Sequence, residues 1–336
     1  MGIKNLNKIL KKECKNGIKK VNIKSLKGKC VGIDTSIFLY KYTYMGDMLL
    51  CFLKQIEHLL SNNITPVYLF DGKPTDDKNN LILKRKETYK SNNEKIDTLK
   101  EKKKELLENN NSNEEELLKI DLEIQKKTKN NIKVNYNDVN KLKEILKNFG
   151  IYYYNCDGET DSYIKSFFNK KLIDYVITED LDFLTHGCQY VIYNYNYNSN
   201  NILLYDLNII LNELELEYDS FINMCIVLGS DYYMKGIKNI GPVKGYKLIK
   251  KYKNIEKLLE SDEKIKINED FNYNNIISLF LEKKELNITK EDLKISKKKI
   301  NLDYFTNFDY NISNIIELIN NFRYEINILT FLNNKL

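Results

Sequence analysis

The stretch KCVGIDTS, residues 29–36, decides the fold. Lys29–Ile33 has the composition of a short buried strand, and Asp34 stands at its tip. The pattern recurs. PVYLFDGKP (66–74) puts Asp71 after a second apolar run. CDGETDS (156–162) carries Glu159 and Asp161, VITEDLDF (176–183) carries Asp180 and Asp182, and LGSDYY (228–233) carries Asp231. Helical patterns lie between the runs: 36–45 behind the candidate N-caps Thr35 and Ser36, then 49–60, the amphipathic stretch 139–149, and a helix from Glu159. Strands at 66–70, 151–154 and 175–178 complete the alternation, which implies parallel strands with right-handed crossovers and an α/β fold. Acids that end parallel strands gather along one sheet edge, where α/β folds place their ligands.

Two carboxylates about 4 Å apart repel by roughly 4 kcal/mol at an effective dielectric near 20. Seven such groups need cations, and an all-oxygen donor set suits a pair of hard divalent ions, of which Mg²⁺ is the usual one. A single acidic pair such as 180/182 reads first as a helix N-cap or a solvated turn. Recurrence in five segments is what favours a site. Six cysteines lie far apart with no C-x-x-C pair and read as buried thiols of a reducing compartment. His58 and His186 are isolated and read as structural, so zinc sites and Ser–His or Cys–His catalysis are poorly supported.

The chain has 53 basic and 47 acidic residues, a net charge of +6 that already includes the acid cluster. The remaining surface is therefore distinctly basic, and a polyanion is its natural partner. Hydrophobic content of 42% supports a sizeable core. No apolar run approaches the roughly 20 residues of a membrane span. The start, MGIKNL, lacks a signal-peptide pattern, and Leu6 breaks the myristoylation pattern.

Residues 84–133 are rich in Lys, Glu and Asn and read as two helices around ENNNSN (108–113), the second capped by Ser112 or Asn113. This is a projecting helical hairpin; the rival reading is a disordered charged insertion. Lys78 and Arg85, seven apart, share a helix face shortly after Asp71. Beside a metal cluster that face suits a scissile phosphate, and alone it reads equally as a solvated basic face. Residues 190–205 form a β-hairpin around 198–200, and from Asp219 the chain is mainly helical. In 229–252 a helix ends near Gly229, a loop with Gly236, Gly241 and Pro242 follows, and a helix carrying Lys244, Lys247, Lys250 and Lys251 begins. Glycines permit close backbone approach and helix-start amides bind phosphate, which is a helix–turn–helix grip on duplex DNA. Tyr40, two turns after Asp34, is a candidate to stack on a base.

Taken in order, MGIKNL, GIDTS, FDGKP, GETDS, TEDLDFL, LGSDY and NIGP resemble the flap endonuclease family of XPG-type structure-specific nucleases over roughly residues 1–260. The resemblance implies a mostly parallel central sheet flanked by helices (PIN-like), a helical arch and a helix–turn–helix DNA clamp. The implied division is 1–83 and 138–218 for the nuclease domain, 84–137 for the arch, 219–260 for the clamp and 261–336 for a C-terminal helical region. It implies a 5′ structure-specific DNA endonuclease with two Mg²⁺ ions, for which Mn²⁺ substitutes. Asp34, Asp71, Glu159 and Asp161 match the first metal group, and Asp180, Asp182 and Asp231 the second. Lys78 and Arg85 match the basic pair at the arch base, Tyr40 the stacking tyrosine, and Gly2, exposed after Met1 removal, the N-terminal glycine near the site. The loop 232–241 matches the clamp that also binds K⁺ through backbone carbonyls.

Departures accompany the match. Asp161 replaces the usual Glu, so its reach to metal needs a water. The stretch between Asp34 and Asp71 is short and lacks much of the wedge and 3′-flap loop, the arch is longer, and the clamp loop carries one extra residue. No sliding-clamp peptide ends the chain, which stops at FLNNKL. The expected partner is branched or flapped DNA, bound by a monomer inside the cell, in the nucleus or another site of replication and repair. The rival readings are a 5′–3′ exonuclease or a nick- or bubble-cutting relative and, in another class, a non-catalytic nucleic-acid-binding scaffold.

Overall fold

The computed structural model describes residues 2–73, 79–108, 114–261, 263, 265–268, 271–296, 300–306 and 310–322. Lys78, the caps expected at Ser112 or Asn113, and the terminal FLNNKL lie outside the described residues. Seven strands form one sheet: β1 (Ile18–Asn22), β2 (Cys30–Asp34), β3 (Thr65–Phe70), β4 (Tyr153–Asn155), β5 (Tyr175–Thr178), β6 (Tyr190–Tyr193) and β7 (Asn201–Asp206). The order is β1-β7-β6-β5-β2-β3-β4. The run from β6 to β4 is parallel, while β7 pairs antiparallel with β6 and β1 antiparallel with β7.

Alternation along the strands builds two cores. Val67 and Leu69 of β3 enter one face, and Tyr68 and Phe70 the other. Val176 and Ile177 of β5, and Val191 and Ile192 of β6, divide in the same way. A central strand covered by helices on both faces reads as a continuous apolar run, as these do. One face carries α1 (Leu6–Glu13), α7 (Thr160–Asn169), α9 (Leu207–Leu214), α10 (Tyr218–Leu228) and α11 (Pro242–Tyr252). The other carries α2 (Thr35–Met45), α3 (Met48–Ser61) and α6 (Tyr136–Phe149). A buried chain of hydrogen bonds, Tyr68 Oη to Gln55 Oε1 at 3.1 Å and Gln55 Nε2 to Tyr42 Oη at 3.1 Å, locks α2 and α3 to β3.

α4 (Asn79–Glu108) and α5 (Glu114–Asn130) form the expected charged hairpin. Lys102–Glu116 at 3.0 Å and Lys103–Asp121 at 2.6 Å join the two helices, and Ile96 and Ile120 are buried among them. Short helices α8 (Asp182–Thr185) and α12 (Ile255–Leu259) and the longer α13 (Tyr273–Leu281) follow, and the chain is helical again over residues 313–322, where Ile315, Ile319 and Phe322 are buried.

Three local expectations change. Thr35 and Ser36 do not cap α2: Asp34 holds the N-cap position without a side-chain cap bond, and the Thr35 hydroxyl donates to Ile33 O at 3.3 Å. The Asp34 carboxylate is turned to Thr178 instead, so tertiary contact overrides the local cap. Residues 1–28, rich in lysine and assigned no element from the sequence, contain a helix, α1, and an edge strand, β1. β1 has weak apolar character of its own and is specified by its pairing with β7. The strand expected at 151–154 begins at Tyr153, because Ile151 still closes the end of α6 by donating to Leu146 O at 2.9 Å.

Candidate active site

Four adjacent strands, β5, β2, β3 and β4, point their carboxyl ends to one edge. Chain order reverses there between β2 and β5, the switch point at which α/β sheets open a crevice. Asp34 is the last residue of β2, and Asp71 directly follows β3. Glu159 is the N-cap of α7 and Asp161 lies in its first turn, after β4. Asp180 and Asp182 follow β5, and Asp231 follows α10.

Hydrogen bonds hold these groups individually. Thr178 Oγ1 donates to Asp34 Oδ2 at 2.9 Å and accepts from Asp180 N at 3.0 Å, so one threonine ties β2 to the β5 turn. Asp182 N donates to Asp180 Oδ1 at 2.9 Å. Thr160 N donates to Asp71 Oδ1 at 2.8 Å, and the Thr160 hydroxyl donates to the same oxygen. The extreme N-terminus enters from above. Gly2 N donates to Asp231 Oδ1 at 3.1 Å, Ile3 N to Asp182 Oδ1 at 2.6 Å, and Lys4 N to Gly229 O at 3.0 Å. Gly2 has φ +83°, and a Cβ there would lie 2.2 Å from Asp180 Oδ1.

The electrostatics match a crowded acid centre. Burial first, then the Asp71, Asp161 and Asp180 carboxylates, hold the Asp34 carboxyl well above the usual range. Burial likewise raises Asp180, with Asp161 and Asp231 adding repulsion, and it raises Asp182 well above the usual range, with Asp180, Asp231 and Asp161 adding to it. Among the described residues, no three acids, histidines or cysteines close on one point at metal-ligating distance. Asp34, Asp71, Asp161, Asp180, Asp182 and Asp231 stand within mutual electrostatic reach, and all of these but Asp161 accept from an N–H or O–H donor named above. A buried, mutually repelling, all-oxygen set is the chemistry that a hard divalent cation satisfies, so the residues present fit such an ion.

Arg85 of α4 reaches toward the centre, with Nη2 3.9 Å from Asp231 Oδ2 and its side chain half exposed. Tyr40 lies 56% exposed on α2, free to offer its ring face. Beside it, Lys41 Nζ pairs with Glu179 Oε1 at 2.5 Å and donates to Tyr195 O at 3.0 Å, tying α2 to the turn that carries Asp180.

The helix–turn–helix forms as expected. Gly236, at φ +60°, lies so close to α10 that a Cβ would stand 2.7 Å from Leu228 O. Gly241 is the N-cap of α11, with Pro242 starting the helix, and Lys244 and Lys247 are exposed along it. Lys250 is engaged by Glu215 at 2.9 Å, so it is less available to a phosphate than its sequence position implies.

Thr160 and Thr178 were not singled out from the sequence, and His186 was read there as structural. The threonines sit between or just before the acids, and His186 follows Asp182 by four residues, the spacing that returns to one helix face.

Family models match residues 1–92 (XPG N-terminal domain) and 150–231 (XPG I-region), together just over half of the chain. The flap endonuclease 1 of Entamoeba dispar is 30% identical over 302 residues, covering 84% of this chain and 76% of that protein. The flap endonuclease 1 of Aedes aegypti is 29% identical over 315 residues, covering 88% and 78%. The chain belongs to the XPG-type flap endonuclease family. The catalytic core of Rad2 in complex with a DNA substrate has the same fold, with a TM-score of 0.70 at 20% identity over 96% of this chain and all of that one. Flap endonuclease membership makes the chain a nuclease and implies a divalent-metal cofactor. All seven acids fall within the two matched regions.

Proposed function

We propose that this flap endonuclease relative is a 5′ structure-specific DNA endonuclease that hydrolyses a phosphodiester near the junction of single-stranded and duplex DNA. The observation that carries the reading is the convergence of acids from four adjacent strand ends with Asp231 and the N-terminal amides. Asp34, Asp71, Glu159 and Asp161 would hold one Mg²⁺, and Asp180, Asp182 and Asp231 a second, with Mn²⁺ able to substitute. When bound, the ions supply Lewis-acid polarisation of the scissile phosphate.

The chain's own residues do the rest. Thr178 and Thr160 fix the orientation of Asp34 and Asp71 before substrate arrives, which removes reorganisation from the reaction. Arg85, with Lys78 seven residues before it as the second basic group, would meet the phosphate as it enters; losing one such contact typically costs about 2.7–4 kcal/mol of barrier. Tyr40 offers a face for a base beside the cut. The hairpin of α4 and α5, which begins at Asn79 and runs into the expected arch region 84–137, admits the single-stranded 5′ end. The clamp, within 219–260, grips duplex through the amides at the start of α11 and through Lys244 and Lys247. The carbonyls of the loop 232–241 would hold K⁺ there. Phosphate contacts position the duplex without reading its sequence, so preference comes from shape and bending. The protein acts as a monomer where DNA is replicated and repaired. No helix among the described residues is long and apolar enough to cross a membrane.

Cleavage mapping on 5′-flap, nicked and bubble DNA, each end-labelled and tested with and without Mg²⁺, decides the matter. A dominant Mg²⁺-dependent cut near the flap junction is expected. A ladder released one nucleotide at a time from the 5′ end, or cleavage indifferent to Mg²⁺, overturns the proposal.

A further inference from the structure

His186 looks like an ordinary core histidine, since its ring is fully buried and packs edge-on against Phe280 at 5.1 Å. Its position is more specific than that. It lies one helical turn beyond Asp182, with His186 N donating to Asp182 O at 3.0 Å, yet its ring reaches sideways to a different helix. There His186 Nε2 stands 3.7 Å from Asp161 Oδ2.

The ring is aimed by rigid surroundings. Tyr218 Oη donates to Thr185 O at 2.6 Å, directly before His186. Gly187, directly after it, has φ +83°, and a Cβ there would stand 2.9 Å from Tyr218 Oη. Behind the ring, Phe280 is fixed by Tyr232 at 5.2 Å and by Lys165 Nζ, which donates to Phe280 O at 3.0 Å. Asp161 carries the shorter of the two acidic side chains. A short carboxylate has less reach and depends more on what orients it.

We infer that His186 is a positioning residue for Asp161: its ring N–H steers the carboxylate toward the acidic centre, and through α8 it couples Asp161 to Asp182. At 3.7 Å the pair is in ion-pair range but beyond a direct hydrogen bond, so a movement of about 0.5–1 Å closes the contact. Partners of this kind typically alter metal affinity by about 10–100-fold when removed. The inference rests on the metal-dependent reading above and assigns a role within the same site.

The chain has two histidines, which makes the wild-type protein its own probe. His58 is the internal control, held on α3 by Tyr195 Oη at 2.7 Å from Nδ1. With histidine rings isotopically labelled, Mg²⁺ titration should shift the ring resonances of His186 and leave those of His58 in place. His186→Leu should weaken Mg²⁺ binding by about tenfold in calorimetry and lower kcat with little change in KM for DNA. His186→Gln, which keeps an N–H near the Nε2 position, should restore most of both. In an Asp161→Glu background, His186→Leu should cost little, because the longer side chain needs no steering. Silent His186 resonances under saturating Mg²⁺ overturn the inference, as does a His186→Gln variant as impaired as His186→Leu. Calorimetry showing no Mg²⁺ binding at all overturns the metal reading and the inference together, whereas Mg²⁺ binding with a silent His186 overturns the inference alone.

Discussion

Gly2→Ala tests the acid centre without replacing an acid. The Ala Cβ would stand 2.2 Å from Asp180 Oδ1, 2.5 Å from Asp182 Oδ1 and 3.0 Å from Asp180 Cγ. Those oxygens cannot swing aside cheaply, because Asp182 N holds Asp180 Oδ1 at 2.9 Å and Ile3 N holds Asp182 Oδ1 at 2.6 Å. The backbone at φ +83° adds strain for any residue with a Cβ, about 1–2 kcal/mol. The N-terminal residue must therefore withdraw, forfeiting the bond from Gly2 N to Asp231, and a hydrogen bond to a charged group contributes about 1.5–3 kcal/mol net. The two effects are alternatives in part, so the expected destabilisation is about 3 kcal/mol rather than their full sum. Urea unfolding in chelator, followed by circular dichroism since the chain has no tryptophan, reads it directly. Turnover on a 5′ flap should fall with it, since Asp180, Asp182 and Asp231 lose a common support. Lys4→Ala is the control, because the Lys4 side chain is exposed and only its amide is used. A Gly2→Ala protein with an unchanged urea midpoint and unchanged turnover would refute the reasoning.

Three further outcomes are expected. Asp180→Asn should bind flap DNA nearly as the wild type does while losing almost all Mg²⁺-dependent cleavage; gel-shift and single-turnover assays separate the two, and normal turnover contradicts the assignment. Asp34→Asn should gain stability relative to wild type, in chelator, as pH rises above the ordinary carboxylate value of 3.8. The sign follows from linkage: the folded Asp34 carboxyl keeps a proton that the unfolded one has released, so wild type loses stability as pH rises through that window, and a neutral amide does not. A difference that shrinks with pH opposes the account. The double change Lys244→Ala and Lys247→Ala should weaken duplex binding and flatten the dependence of log K on log salt by about 2, at roughly 0.9 per phosphate contact, with the chemical step unaltered at saturating DNA. An unchanged slope would remove α11 from the DNA interface.

Much of this protein is legible along the chain. The strands ending in Asp34, Asp71 and Asp180 announce themselves because a strand buried on both faces must be apolar throughout, and a polar residue then marks where it leaves the core. The hairpin of α4 and α5 is equally visible, since its charge pattern and helix formers are local properties. The helix–turn–helix is marked by Gly236, whose backbone no other residue would adopt without clashing with α10. Edge strand β1 was not legible, because an exposed edge strand needs little apolar content and takes its conformation from the neighbour it pairs with.

Residue order alone determined which acids exist, that six of the seven follow a strand or open a helix while Asp231 follows a helix, and that the surrounding surface is basic. Only the folded chain decided that Thr178 joins Asp34 to Asp180, that Thr160 holds Asp71, that the N-terminal amides reach Asp231 and Asp182, and that His186 faces Asp161. Those partners lie up to 229 residues apart in the chain. Local pattern reports burial and backbone preference, whereas the aim of a buried polar side chain is set by whichever distant segment the core packs against it.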